Sequence, residues 1–207
     1  MNIPGILQIA IGAVLINNLI LSRMLGLCPL FSVSRNLSAA IGMGIIVTLV
    51  MGIAGASTWI IATVILMPYH CAYLQIIVFI LIIATLVQLT EMAMQKFSPK
   101  LNESLGMHLP LMTADCAILA AALITIQNNP ITGQPFTLAE ACVNSVAAGT
   151  GFMAVLILMA GIREKLELAS GWKSLQGTPL ALIIAGLMAM AFFGFTGLHF
   201  ITAHGGF

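Results

Sequence analysis

Residues 75–90 read QIIVFILIIATLVQLT, sixteen consecutive residues without a charged side chain. The same character extends in both directions along a chain of 207 residues that is 60% hydrophobic and only 6% charged, with a mean hydropathy of +1.12. Soluble domains are about half apolar and about a quarter charged. The composition therefore excludes a soluble globular domain and predicts an all-α integral membrane protein.

Apolar runs separated by Pro, Gly and polar residues predict six transmembrane helices, because a bilayer core of about 30 Å is crossed by about 20 residues. The predicted ranges are 5–27, 39–66, 73–95, 105–127, 138–162 and 178–201. The connections after the first, third and fifth spans carry cations such as Arg35, Lys96 and Arg163, whereas the other connections and both termini carry none. The positive-inside rule then predicts a multi-pass protein of a cytoplasmic membrane with both termini outside.

The charge and the segment lengths exclude several functions. Seven cations against six anions give a formal charge of +1, too little for a nucleic-acid-binding surface. The connections are too short to hold a nucleotide or a flavin in a conventional fold, so residues 1–207 are predicted to form a single membrane domain embedded in lipid. The first apolar run lacks the basic segment and cleavage site of a secretory signal, and we expect it to be a mature span.

Short repeated strings indicate two related halves, about 1–97 and 98–207. LIIATL at residues 81–86 matches LIIAGL at residues 182–187 at five of six positions, and Gly-x-Gly motifs recur at 42–44 and 149–151. Each half contains three predicted spans, so the second half is inserted the opposite way up. Such inverted repeats place their functional centre near the membrane midplane, often at interrupted helices. We therefore predict interruptions in spans one and four.

Cysteine and polar residues within those two spans are the candidate functional groups. Cys28 is followed by Pro29, whose missing N–H is expected to free backbone groups, and Cys116 is predicted near the bilayer centre. A lone cysteine is more often simply packed as a small apolar residue. A site shared by both thiols requires span one to break in its second half, because a straight helix would hold Cys28 too far from Cys116. Two thiolates are half the usual ligand set of an iron–sulfur cluster, so a second chain would have to supply the rest.

Other polar residues have less specific interpretations. Asp115 costs about 3 kcal/mol near the membrane midplane; it is either an ion relay or a protonated acid bonded to amides such as Asn17 and Asn18. Cys71 and Cys142 are predicted near the outer ends of spans three and five. Free, packed thiols are favoured there over a disulfide.

Several motifs, in the same order along nearly the whole chain, resemble the A subunit of the Rnf complex. They are Asn17-Asn18, LGLCPLFSVS at 25–34, QLTEM at 88–92, LPLMTADCAIL at 109–119, GIREK at 161–165 and AGLMA at 185–189. A sister family, the E subunit of the sodium-translocating NADH:quinone reductase, shares much of this pattern. The Asn-Asn pair and the Gly-Leu-Cys-Pro segment are more similar to the Rnf family.

The resemblance implies a membrane subunit of an ion-translocating ferredoxin:NAD oxidoreductase in a bacterial or archaeal cytoplasmic (inner) membrane. In that family this component pairs with a homologous, oppositely inserted partner, the E subunit of the Rnf complex, and the two share an intramembrane [2Fe-2S] cluster. The corresponding iron ligands here are Cys28 and Cys116. The resemblance further implies that the cluster relays electrons across the membrane, that the B, C, D and G subunits complete the complex, and that sodium or protons are translocated.

The chain also departs from the family pattern. The residue before the second cysteine is usually Asn, and here it is Asp115, which leaves the local charge and the ion specificity open. Asn17, Asn18 and Asp115 are the candidates for an ion path. The alternative functions are the sister reductase component and a small inverted-repeat secondary transporter, which would contain no iron.

Overall fold

A computed structural model describes residues 10–16, 18–34, 37–66, 72–97, 116–126, 137–168 and 178–204. All regular elements in these ranges are helices. A turn of π-helix at Gly12–Ile16 is followed by α1 (Leu19–Arg23), α2 (Leu27–Val33), α3 (Leu37–Ile61, continued by a π-helical turn at Ala62–Leu66), α4 (Gln75–Phe97, preceded by a 3₁₀ turn at Ala72–Leu74), α5 (Cys116–Ile126), α6 (Leu138–Leu168) and α7 (Thr178–His204).

Three of the described helices are long and apolar enough to cross a membrane: Leu37–Leu66, Gln75–Ala93 and Leu138–Leu166. The described parts of the shorter apolar helices, Cys116–Ile126 and Pro179–Gly194, fall within predicted spans four and six. The all-helical class is therefore confirmed. The count of six spans, the inverted repeat and the outside placement of the termini stay predictions.

The centre of the fold is the packing of α3 against α6, which brings the two Gly-x-Gly motifs into the same interface. A Cβ added at Gly149 would lie 2.7 Å from the Cα of Thr48, and one added at Gly44 would lie 2.6 Å from the Cγ of Met153. Small residues let helix backbones approach closely where lipid provides no hydrophobic driving force for association. The interpretation of these glycines as close-packing positions is confirmed.

A buried hydroxyl contact joins α5 to the same interface. The hydroxyls of Thr125 and Ser145 are 3.3 Å apart, and Thr125 also donates to the Ala121 carbonyl at 2.7 Å. Both side chains are fully buried. A buried hydroxyl needs such a partner because desolvating it unpaired is costly, so this contact fixes the position of α5 against α6.

Large apolar side chains cover the outer faces of α4 and α7. Leu81 is 70% exposed, Leu187 is 62% exposed and Met190 is 75% exposed. Soluble monomers rarely expose continuous apolar surface of this extent. These faces are suited to lipid or to neighbouring apolar subunits, in agreement with a membrane location.

The helix in the segment predicted as span one is interrupted between Arg23 and Leu27, as a shared thiol site requires. Helix α1 ends at Arg23 and α2 begins at Leu27. The break lies before Pro29, which falls in the first turn of α2, where the backbone N–H has no intrahelical acceptor and its loss is tolerated. The break therefore has a cause other than the proline. The predicted interruption of span four concerns residues before Cys116 that lie outside the described ranges.

Candidate functional site

Two residues with left-handed backbone conformation form the break between α1 and α2. Met24 has φ 56° and ψ 31°, and Gly26 has φ 79° and ψ 25°. Glycine adopts this region without the steric penalty that a Cβ introduces. The amide N–H of Leu25 donates to the Leu19 carbonyl at 3.2 Å and so closes the end of α1. Helix α1 thereby ends at Arg23, and the short helix that carries Cys28 starts at Leu27.

The break is held against α5 by a hydrogen bond to sulfur. The backbone N–H of Gly26 lies 3.1 Å from the Sγ of Cys116, a residue 90 positions later in the chain. Gly26 is two residues before Cys28, so this contact brings together the two segments that carry the predicted ligands. An N–H directed at sulfur stabilises negative charge on it, as backbone N–H groups do for other anionic acceptors.

Both predicted ligands are accessible thiols. Cys28 and Cys116 are free and exposed, whereas Cys142 is free and partly buried. Cysteine is ordinarily among the most buried residue types, packed as a small hydrophobe. The exposure of two cysteines from neighbouring segments is therefore unusual for packing residues. It suits thiols that meet a further component at the surface of the chain.

Asn18 holds the beginning of α1, the helix that precedes the break. Its side-chain amide donates to the carbonyls of Val14 at 3.2 Å and Gly151 at 3.1 Å, and its Oδ1 accepts from the N–H of Ile20 at 3.2 Å. The residue is only 3% exposed. Asn18 thus caps the N-terminus of α1 and ties it to α6. A contribution to an ion path stays a prediction.

The sequence identifies Arg163 as a cation for the topology rule and as part of the GIREK motif, and its contacts in the fold are a finding of the structure. It is 6% exposed, and its guanidinium donates to the Phe31 carbonyl at 3.1 Å and to the Ser34 hydroxyl at 2.8 Å. The sequence signals for this residue are its charge at the end of a long apolar run and its place in the GIREK motif at 161–165. The acceptors lie more than 120 positions earlier, so no local pattern reveals them.

Three of the residues singled out in the sequence lie outside the described ranges. Asn17, Asp115 and Cys71 are not among the residues whose structure is described. Within the described ranges, no three His, Cys, Asp or Glu side chains come together in a group suited to hold a metal ion.

Long apolar helices with apolar outer faces define an α-helical membrane protein. It carries two accessible thiols on segments that meet at a helix break. Comparison with known sequences identifies the family to which the chain belongs. Residues 6–199 match a family described as Rnf-Nqr subunit, membrane protein, and the chain belongs to that family.

Named relatives agree with this membership over nearly the whole length. The chain is 48% identical over 194 residues to the A subunit of the ion-translocating oxidoreductase complex of Syntrophotalea carbinolica, covering 94% of this chain and 97% of that protein. It is 49% identical over 190 residues to the A subunit of the Na(+)-translocating ferredoxin:NAD(+) oxidoreductase complex of Acetobacterium woodii, covering 92% and 96%. The corresponding protein of Serratia proteamaculans is 44% identical over 192 residues, covering 93% and 96%.

These relatives confirm the resemblance to the A subunit of the Rnf complex that the motifs indicated. Their names describe one component of an ion-translocating oxidoreductase complex. They agree with a redox-driven translocase component that works with other subunits.

Proposed function

We propose that this chain is the membrane subunit of an ion-translocating ferredoxin:NAD oxidoreductase in which Cys28 and Cys116 supply half of the ligands of an intramembrane [2Fe-2S] cluster. The observation that carries the proposal is the 3.1 Å contact between the Gly26 N–H and the Cys116 sulfur. This contact joins the two cysteine-bearing segments across the break in span one. A homologous partner, inserted the opposite way up, supplies the other two thiolates.

The donor chemistry of the residues fits half of such a cluster. Iron–sulfur clusters are ordinarily bound by four cysteine thiolates, and hydrogen bonds to the sulfurs are among the factors that set their potential. This chain offers two exposed thiols on adjacent segments, one of which accepts a backbone N–H. Their exposure leaves room for a partner chain to complete the set.

When bound, the cluster would supply a one-electron carrier between iron–sulfur subunits on one side of the membrane and a flavin-bearing subunit on the other. The residues of this chain have supporting tasks. Cys28 and Cys116 would hold the iron, the Gly26 N–H would stabilise charge on one ligand, and the apolar helices would exclude water. Exclusion of water makes a change of charge at the site felt strongly by nearby polar groups, because the local dielectric constant is low.

The proposed partners follow from the same assignment. They are the E subunit of the Rnf complex as the oppositely inserted homologue, and the B, C, D and G subunits as the sources of the donor, nicotinamide and flavin sites. Moving one ion against 100 mV costs about 2.3 kcal/mol, which the potential difference between ferredoxin and NAD must supply. Asn17, Asn18 and Asp115 are the proposed polar contacts for that ion.

Substitution of single cysteines in the purified complex tests the proposal. Cys28→Ser and Cys116→Ser should each abolish the EPR signal of the intramembrane cluster and ion pumping. Reduction of artificial acceptors by NADH, which requires only the nucleotide-binding subunits, should persist. Cys142→Ser is the matched control, because Cys142 is a free thiol on α6 with no proposed ligand role, and it should retain the signal.

A complex of either ligand variant with an unchanged cluster signal and full iron content would show that the assignment is wrong. The same spectra separate this function from a secondary transporter. A transporter of this fold would retain its activity in both serine variants and would contain no iron.

A further inference from the structure

Arg163 is a buried cation in contact with the helix that carries Cys28. The residue belongs to α6 and is 6% exposed. Its guanidinium donates to the backbone carbonyl of Phe31 at 3.1 Å and to the hydroxyl of Ser34 at 2.8 Å. Ser34 is fully buried and is the C-terminal capping residue of α2. Arg163 therefore binds the end of α2, at a distance of more than 120 residues in sequence.

Helix α2 depends on such contacts for its position. It has seven residues, too few to be stable as a helix without tertiary contacts. It starts immediately after the left-handed Gly26, so no helical backbone continues from α1 to orient it. The carbonyls of its last turn have no intrahelical donors, and the Phe31 carbonyl is one of them. A guanidinium that donates to these acceptors completes the helix end and compensates its partial negative charge.

The contact with Arg163 acts on one of the two cysteines. Cys28 lies three residues before Phe31, on the same short helix, and three residues along a helix return to nearly the same face. Cys116 begins a different helix, α5, which is tied to α6 through the hydroxyls of Thr125 and Ser145. Loss of the guanidinium would thus release Cys28 while the attachment of Cys116 persists.

We infer that Arg163 is a positioning residue, which holds the C-terminal end of α2 and so fixes Cys28 relative to Cys116. The inference concerns the placement of the Cys28 thiol, and it rests on the proposed function only for the group that the thiol binds. Lysine would preserve part of the effect, because its ammonium can donate to the Phe31 carbonyl. It lacks the planar arrangement of donors that reaches two acceptors at once.

The first experiment measures the mobility of each cysteine independently of iron. In the complex, Cys71 and Cys142 are replaced by Ser, and a nitroxide is attached to Cys28 in a Cys116→Ser background or to Cys116 in a Cys28→Ser background. The spectrum of an equally labelled complex that lacks both Cys28 and Cys116 is subtracted, so that labels on other subunits do not contribute. Arg163→Gln should increase the mobile fraction of the EPR line shape at Cys28 at least twofold and leave the line shape at Cys116 unchanged. Arg163→Lys should restore most of the immobile fraction at Cys28.

Lys165→Ala is the matched control, since Lys165 is exposed and lies on α6 two residues from Arg163. It should alter neither label. Ser34→Ala removes one acceptor and retains the Phe31 contact, so it should give a smaller increase at Cys28 even if Arg163→Gln fails to assemble. Either of two results would overturn the inference. One is that the label at Cys28 has the same mobility in Ser34→Ala, Arg163→Lys and Lys165→Ala. The other is that Arg163→Gln increases the mobility of the labels at both cysteines equally.

The second experiment measures the bound group in the complex with all cysteines present. The iron content and cluster signal per complex should fall at least twofold in Arg163→Gln and recover in Arg163→Lys. If the Cys28 label is mobilised but the Cys28→Ser complex keeps its full cluster signal, the positioning role stands and the proposed ligand role fails. If the label is not mobilised and Cys28→Ser loses the cluster, the reverse holds.

Discussion

Substitution of Gly149 by Ala tests the close packing of α3 against α6. The added Cβ would lie 2.7 Å from the Cα of Thr48 and 3.0 Å from its Cγ2, whereas carbon atoms in favourable contact are about 3.5–4.0 Å apart. The nearest atom belongs to the backbone, so a change of rotamer cannot relieve the contact and the helices must separate. Overpacking of this kind costs about 1–3 kcal/mol.

Gly161→Ala on the same helix is the control, because nothing lies within 4 Å of a Cβ at that position. Both substitutions gain about the same helix propensity, close to 1 kcal/mol, so the difference between them reports the clash. A change of 1 kcal/mol shifts the melting temperature of a chain of this size by about 2–4 °C. Gly149→Ala should therefore melt about 2–12 °C below Gly161→Ala.

The assay is thermal denaturation of the detergent-purified complex, followed by fluorescence-detected gel filtration. The two variants and the unmodified protein are compared at equal concentration, because association with other subunits also stabilises the folded state. Equal melting temperatures, or a higher value for Gly149→Ala, would refute the described packing of the two helices.

Three further substitutions test the break in span one. Asn18→Ala removes the N-terminal cap of α1 and its bond to the Gly151 carbonyl; it should cost about 1–2 kcal/mol, and an unchanged melting temperature would contradict the described role. Met24→Gly should raise the melting temperature or leave it unchanged, since the backbone at φ 56° suits glycine; a fall of several degrees would count against the left-handed turn. Gly26→Ala places a Cβ at φ 79° and should weaken the bond to Cys116. If the reduced state loses about 1 kcal/mol of stabilisation, the reduction potential of the proposed cluster falls by about 40 mV. Redox titration of its EPR signal measures this change. An unaltered potential would show that this N–H has no influence on the cluster.

Helices are the part of the fold that the sequence predicts best. Hydropathy depends on the composition of consecutive residues, so the run at 75–90 locates α4 without knowledge of its neighbours. The predicted end of span five at residue 162 falls short of Leu168, where α6 ends. The last turns contain Arg163, Glu164 and Lys165, which a hydropathy criterion places outside the membrane although the helix continues through them.

The sequence predicts that a shared thiol site requires a break in span one, but it does not predict which residues form the break. A shared site for Cys28 and Cys116 requires a break, and Pro29 is the nearby residue that cannot donate to a helix. The structure instead has left-handed residues at Met24 and Gly26. Methionine rarely adopts a positive φ, so the residue type at position 24 does not predict the turn. The exact place of the turn depends on packing that one sequence does not reveal.

The tertiary contacts of the site could not be predicted. The bond from Asn18 to Gly151 and the bond from Arg163 to Phe31 join residues that are 133 and 132 positions apart. Hydropathy and local motifs identify polar residues in expensive places, but they do not pair them. The resemblance to a family supplies the two candidate ligands, Cys28 and Cys116, and the structure adds the contact between the Gly26 N–H and the Cys116 sulfur.

A high-resolution cryo-EM map of the intact complex, prepared without oxygen and with iron fully retained, tests the proposed cluster site most directly. Metal density is expected between the sulfurs of Cys28 and Cys116 and two thiolates of an oppositely inserted partner, within the apolar part of the membrane. A map in which those two sulfurs point away from each other, or in which the iron is bound elsewhere and both thiols are bare, would contradict the proposed site.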